Sequence, residues 1–292
     1  MTKLKIARYR VAEGTQVKLA AWPTRVEPVY RSKADYDEQL AAHIARLRSL
    51  QSKLYASNRY AVLLVFQAMD AAGKDGAIAH VMSGVNPQGC QVHSFRHPSA
   101  EELDHDFLWR TTQRLPRRGQ IGIFNRSYYE EVLIVRVHPE LLRAEDVPYR
   151  ARRISAIWPE RYRSIVDLER HLHADGTRIV KFFLHLSKEE QRRRLLDRIE
   201  TPSKRWKISA ADLEERRCWG AYRRAYGDCL AATSTSHAPW YVIPADDKFT
   251  ARLLISQVVT DLLEGLGLDY PKADAQRLKE LEAMRKQLQA AG

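Results

Sequence analysis

The stretch with the most chemical potential is Ala68-Met69-Asp70-Ala71-Ala72-Gly73-Lys74-Asp75-Gly76. Set against the phosphate-loop pattern G-x-x-x-x-G-K-[ST], it keeps the second glycine and the lysine. Ala68 stands for the first glycine and Asp75 for the closing hydroxyl residue. As a string the match fails, but its place is right: a buried strand, a tight turn, then a helix. That junction aims backbone N–H groups and a helix N-terminus at an anion. Gly73 allows close backbone approach, and Lys74 can reach a phosphoryl oxygen. The missing hydroxyl ordinarily holds Mg2+, and Asp70 or Asp75 offers a carboxylate instead. A carboxylate in a phosphate cradle repels phosphate unless a cation intervenes. Either Mg2+ lies between them, or the segment is an ordinary turn whose Asp and Gly serve capping and turn geometry.

Two further clusters belong with it. In Ile121-Gly-Ile-Phe-Asn-Arg-Ser-Tyr-Tyr-Glu-Glu131 an apolar strand ends in polar residues. In open α/β sheets the ligand crevice lies at the carboxyl ends of strands, which puts Asn125, Arg126 and Glu130 or Glu131 beside the loop. Arg126 suits bidentate phosphate recognition, while Asn125 can ligate weakly, hydrogen-bond a nucleotide, or merely cap the next helix. The third cluster is Arg194 and Arg198, one turn apart, followed by Pro202 and by Lys204, Arg205 and Lys207 around Trp206. It reads either as a solvated charged helix or as the basic lid that nucleoside-monophosphate-type kinases carry, which excludes water and clamps phosphates. No covalent nucleophile with an adjacent base is evident, and His80, His93, His97 and His105 read as structural or anion-contacting.

The elements that must position these residues follow from the hydrophobic pattern. The continuous apolar run at 60–67 suits a strand buried on both faces, and 91–95, 121–124, 178–186 and 240–243 are four more candidate strands. Helical periodicity is predicted over 33–54, 77–83, 101–114, 149–172, 188–199, 210–231 and 248–265, with a last helix over 272–292. Alternating strands and helices indicate an α/β fold on a parallel sheet. Residues 1–31 look irregular. The thin stripe Leu278, Leu281, Leu288 is expected to pack on the domain or on a neighbouring subunit. The composition is globular, with 45% hydrophobic and 29% charged residues among 292. No run of about 18 apolar residues predicts a membrane span, and the N-terminus lacks a signal segment. Three scattered cysteines fit neither a disulfide scaffold nor a four-cysteine zinc site. A cytoplasmic protein is expected. The net charge of +12 either serves solubility on solvated faces or attracts an anionic partner, but no helix-turn-helix, zinc or RNP pattern points to nucleic acid.

Together these stretches resemble the polyphosphate kinase type 2 family, the polyphosphate:nucleotide phosphotransferases. The resemblance is carried by Met69 to Gly76, Gly84-Val-Asn-Pro-Gln-Gly89, Phe124-Asn-Arg-Ser127 with Glu130, Val135-Arg-Val-His138 and Pro202 to Lys207. It extends through Lys181 to Glu190 and His237 to Ala245, covering roughly residues 30–268. It implies a three-layer α/β/α P-loop kinase-like fold with a helical lid. The catalytic domain would span 58–270, with the lid at about 194–220, an N-terminal extension and amphipathic helix over 1–57, and a C-terminal helix over 271–292. It implies reversible transfer, dependent on Mg2+ with Mn2+ as the alternative, between inorganic polyphosphate and AMP, ADP or ATP, with guanine nucleotides as further candidates. A homo-oligomer, dimer or tetramer, goes with it.

Carried over by residue, the catalytic groups are Asp70 (also the metal ligand), Lys74, Arg126, Arg194 and Arg198. Phosphate and nucleotide contacts fall on Ala71, Ala72, Gly73, Asp75, Gly76, Asn125, Glu130, Arg136, Lys204 and Lys207. Asn125 is similar to the subgroup that accepts AMP as well as ADP, whereas Ala68 and Glu131 depart from the usual Gly and Asp.

Overall fold

The computed structural model describes residues 4–143 and 154–290. Five strands, β1 (Ala61–Ala68), β2 (Cys90–Ser94), β3 (Ile121–Asn125), β4 (Thr177–His185) and β5 (Trp240–Pro244), form one parallel sheet in the order β2-β3-β1-β4-β5. The chain leaves central β1 towards β2 and β3 on one side and returns to β4 and β5 on the other. This reversal opens a crevice over the carboxyl end of β1.

The unbroken apolar run of β1 serves two cores. Val62, Leu64 and Phe66 face a layer built with α1 (Lys33–Ser57), α2 (Lys74–Val81) and α10 (Lys248–Glu264). Leu63 and Val65 face α5 (Glu130–Val137), α6 (Ile154–Ala174) and α9 (Trp219–Thr233). Period-two alternation delivers side chains to both faces, so the strand needs no polar side.

The expected strands are all present, and two helical expectations change. The stretch 101–114 is split into α3 (Ala100–Leu103) and α4 (Trp109–Thr112), because the Asp106 carboxylate accepts from the Leu108 N–H and restarts the chain. The helix expected over 210–231 breaks at Cys218 into α8 (Ala210–Arg217) and α9. Residues 149–153 of the helix expected over 149–172 lie outside the described residues. Between β4 and α8 runs α7 (Lys188–Glu200), followed by a 3-10 segment, Pro202–Lys207.

The N-terminal segment is irregular but not loose. Tyr9, Val11 and Leu19 are buried. Arg10 bridges Tyr241, and the Val11 N–H donates to the Trp240 carbonyl at 2.9 Å, so the segment covers the exposed edge of β5. At the other terminus, α11 (Ala275–Ala290) has no buried residue, so the expected packing of its leucine stripe on the domain is not found.

Candidate active site

The loop between β1 and α2 turns through the left-handed region twice, at Ala71 (φ +61°) and Gly73 (φ +93°). Gly73 takes that conformation without a Cβ penalty, whereas Ala71 does so against one. The carbonyls of residues 70–72 point to α7: Gln191 Nε2 donates to Asp70 O at 3.1 Å, and Arg194 Nη1 to Ala71 O and Ala72 O at 3.2 and 2.9 Å.

Lys74 opens α2, and its Nζ donates to Ala68 O at 3.3 Å. Burial pulls its pKa below the usual lysine value; the nearby Arg126 adds to this, and Asp70, Glu130 and Asp75 oppose it. Asp70 lies 3.8 Å from Arg126, which lies 3.9 Å from Glu130. Burial opposes the charge on Arg126, but Glu130 and Asp70 outweigh it and hold the guanidinium pKa above its ordinary value. Lys74, Asp70, Arg126 and Glu130 therefore form one charge cluster on the crevice.

The turn that carries Arg126 (φ +63°) is braced from below. Arg126 N–H donates to Phe66 O at 3.0 Å. Glu130 accepts from buried Gln67 Nε2 at 2.6 Å. Beneath α5, Tyr128 and Tyr129 hydroxyls donate to Glu169 at 2.9 and 2.8 Å, and Lys181 donates to Glu169, Tyr129 and Thr233 O. Asn125 neither caps α5 nor points at open space: its Nδ2 donates to Asp75 Oδ1 at 2.7 Å. Glu131 is buried between Arg110 and Arg161, at 3.4 and 3.6 Å. The Glu131 side chain is long enough to reach both guanidinium groups.

The crevice widens into a cavity of about 500 Å³ that includes Asp70, Arg126 and Glu130, with Phe107, Trp219, Tyr222 and Tyr226 as aromatic wall. Its volume lies within the usual range for small-molecule sites. These aromatics were missed in the sequence, although Trp219, Tyr222 and Tyr226 at helical spacing were the available signal. Gln67, whose type and place inside β1 gave no signal, was missed too.

Other expected residues are placed elsewhere. Arg136 faces away from the cavity, donating to Tyr162 OH at 2.6 Å and pairing with Asp228; its helical phase turns it to α6 and α9. Arg194 does not present its guanidinium to the crevice, because all its donors are engaged by protein oxygens. Arg198 donates to Lys207 O at 3.1 Å and pairs with Asp212 at 3.6 Å. Lys204 pairs with Asp197 at 2.6 Å, and Lys207 packs over Trp206. None of these last three cations lines the cavity. Gly76 sits in α2, where an added Cβ would lie 3.5 Å from the Arg252 guanidinium.

Among the described residues no three His, Cys, Asp or Glu side chains converge as a metal cage. Mg2+ shared with phosphates needs only one or two carboxylates. Asp70, a third exposed on the cavity wall, fits such a shared ion. No helix among the described residues is long and apolar enough to cross a membrane.

Comparison with known proteins agrees with this geometry. The family described as polyphosphate kinase 2 (PPK2) matches residues 30–269. An ADP-polyphosphate phosphotransferase of Rhodopseudomonas palustris is 62% identical over 286 residues, 98% of this chain and 99% of that protein. An AMP/ADP-polyphosphate phosphotransferase of Meiothermus ruber is 48% identical over 237 residues, 81% of this chain and 84% of that protein. The crystal structure of polyphosphate kinase 2 from Arthrobacter aurescens TC1 superposes with a TM-score of 0.87 at 41% identity, covering 98% of both chains.

Proposed function

The chain belongs to the polyphosphate kinase 2 family, and from that premise and the cleft we infer its activity. It is a phosphotransferase that moves a phosphoryl group between inorganic polyphosphate and AMP or ADP. The observation that carries this reading is the charge cluster of Lys74, Asp70 and Arg126 where the β1–α2 loop meets the end of β3, with Asp70 and Arg126 lining the cavity.

Phosphoryl transfer asks the protein for positioning and charge neutralisation rather than covalent chemistry. Backbone N–H groups of Ala71 and of residues 73–76, with the Lys74 ammonium, hold the transferring group. Arg126 offsets charge on its equatorial oxygens, and Glu130 keeps Arg126 aimed. Asp70 would hold Mg2+, with Mn2+ as substitute, which would supply neutralisation of phosphate charge. The aromatic wall takes the nucleoside. Arg198, Lys204 and Lys207 sit on the segment that must fold over the cleft before they can meet a polyphosphate chain. Asn125 favours AMP alongside ADP; guanine nucleotides are acceptors of the same shape, and transfer runs in both directions. The exposed leucine stripe of α11 supports a homo-oligomer, dimer or tetramer, and nucleotide substrates favour a cytoplasmic enzyme.

The test supplies AMP, ADP, GMP and GDP separately with polyphosphate and Mg2+, without ATP. Formation of the next higher phosphate is expected with the adenine nucleotides. Product that appears only when ATP is added would make the protein an ATP-dependent nucleotide kinase. Binding of polyphosphate without turnover would make it a polyanion-binding module.

A further inference from the structure

The Arg194 guanidinium has five N–H donors in a fixed fork. Nε donates to Glu190 Oε1 at 2.8 Å. Nη1 donates to Ala71 O and Ala72 O at 3.2 and 2.9 Å, and Nη2 to Ala245 O and Asp246 O at 2.6 and 3.2 Å. Every donor is thus matched to a protein oxygen, four of them backbone carbonyls at the ends of β1 and β5. The side chain is largely buried, and a Cβ on Gly73 would lie 3.5 Å from Nη1. A phosphoryl group could reach this guanidinium only by breaking contacts that shape its own cradle.

Those contacts fall on the strained part of the loop. Ala71 sits at φ +61°, a conformation disfavoured for any residue with a Cβ. In a trans peptide the C=O and the following N–H are antiparallel. Pinning the carbonyls of Asp70 and Ala72 to α7 therefore turns the N–H groups of Ala71 and Gly73 towards the crevice. The anchor is itself anchored. Asp246 N–H donates to Thr24 O at 2.9 Å, and its carboxylate accepts from Thr24 Oγ1 at 2.9 Å and Ser187 N–H at 2.8 Å. Thr24 precedes the family-matched residues, so the N-terminal segment belongs to the same frame.

We propose that Arg194 is a positioning residue that holds Ala71 and Ala72 in the anion-binding shape, seated on the β5 terminus and the N-terminal segment, and that it does not itself contact the transferring phosphoryl group. The kinetic arms rest on the phosphotransferase reading; the amide-exchange arm does not.

Arg194→Lys separates the two roles. It keeps the charge, but an ammonium cannot span four carbonyls and a carboxylate. A positioning role predicts that kcat falls about ten-fold or more while KM for polyphosphate stays within about two-fold. It also predicts a smaller loss in an Ala71→Gly background, because glycine adopts the left-handed conformation without the clamp, a non-additivity that a double-mutant cycle reads directly. In the substrate-free protein, hydrogen exchange at the amides of residues 71–74 should rise in Arg194→Lys. Near-normal turnover in Arg194→Lys, with KM for polyphosphate raised in Arg194→Ala, would overturn the proposal in favour of direct charge contact. Fully additive losses with Ala71→Gly, or unchanged exchange, would overturn it too. If Arg194→Lys does not fold, Glu190→Gln, which removes the charge that aims Nε, carries the same three measurements. If no variant or wild-type sample transfers phosphate, the exchange measurement still decides the clamp.

Discussion

The phosphate loop and the lid segment each carry cations and lie on either side of the same helix, yet they are held in opposite ways. The loop's carbonyls accept from Gln191 and Arg194, whose own partners are fixed by buried or half-buried groups. The lid's cations pair with the lid's own acids, Lys204 with Asp197 and Arg217 with Glu214 at the surface and Arg198 with Asp212 half-buried. Trp206 among them is 79% exposed. Exposed pairs of this kind contribute about 0–1 kcal/mol each, so a polyanion can take over the cation at little cost. A cradle shaped before substrate arrives stabilises charge without reorganising during the reaction. A segment whose charges are loosely partnered can trade them for phosphates.

Lys74 breaks the comparison at its strongest point. Removing one electrostatic stabiliser typically costs about 10²–10³ in rate, and Lys74→Met should lose at least that much in kcat. Its stability should move the other way. Lys74 is pulled below its ordinary value of 10.5, chiefly by burial. Between the lowered folded value and 10.5 the unfolded chain binds the extra proton, so stability rises with pH across that window. Below the window the protonated lysine costs stability. Lys74→Met should therefore melt no lower than wild type at pH 7, and its melting temperature should lack the alkaline rise. A folded Lys74→Met enzyme with near-full turnover would remove the loop from the mechanism. Asp70→Asn should lose activity on a comparable scale. A variant that kept its Mg2+ response would shift the ligand to Asp75 or another carboxylate.

What could be read beforehand divides along the same line. The apolar run of β1, Gly73, Lys74 and the polar end of β3 are local patterns, and the fold and the crevice follow from them. Arg194 and Arg198 share a helix face in the sequence, but which oxygens each reaches depends on where β5 and the loop end, and spacing does not encode that. Arg136 fails for the same reason, since a shift of one position in helical phase turns it to Tyr162 and Asp228. Residues 4–31 have no period because their work is edge-covering through single contacts such as Val11 to Trp240 O.

Asn125 sharpens the comparison from the end of β3, beside the loop. Its amide donates to Asp75 at 2.7 Å; in Asn125→Asp that contact becomes two carboxylates within hydrogen-bond distance. Like charges so close raise one pKa of the pair. Above that raised value the pair repels and distorts the start of α2; below it, one shared proton restores a bond like that of Asn125. Turnover with AMP should fall about ten-fold at pH 8, and more than turnover with ADP, then recover towards wild type as pH drops. Proportional loss with both acceptors at every pH would leave Asn125 without a part in acceptor choice.

Salt and lid substitutions probe the loosely held side. A polyanion on a basic track releases counterions, so its affinity falls steeply with ionic strength. KM for polyphosphate should climb faster with NaCl than KM for the nucleotide. Lys204→Ala with Lys207→Ala should raise KM for polyphosphate about three- to ten-fold, flatten that salt slope, and leave the melting temperature within about 1 °C. Equal salt slopes for the two substrates would argue against an extended track.

The smallest effect is expected at α11, which tests whether loose partnering alone makes a segment functional. Like the lid, it pairs its cations internally, Arg277 with Glu280 and Arg285 with Glu282. Unlike the lid, it buries none of its residues, and Leu278, Leu281 and Leu288 are exposed. Its removal therefore deletes no core contact, and surface changes of that kind usually stay within about 0.5 kcal/mol. A chain ending at Tyr270 should keep its turnover and melt within about 2 °C of the full protein. A sixteen-residue helix is marginal by itself in water, so the stripe needs a partner, and a second copy of the chain offers the same stripe. Light scattering should then give a smaller particle for the shortened chain. A melting temperature lowered by more than about 5 °C, with particle size unchanged, would place α11 against its own domain in solution.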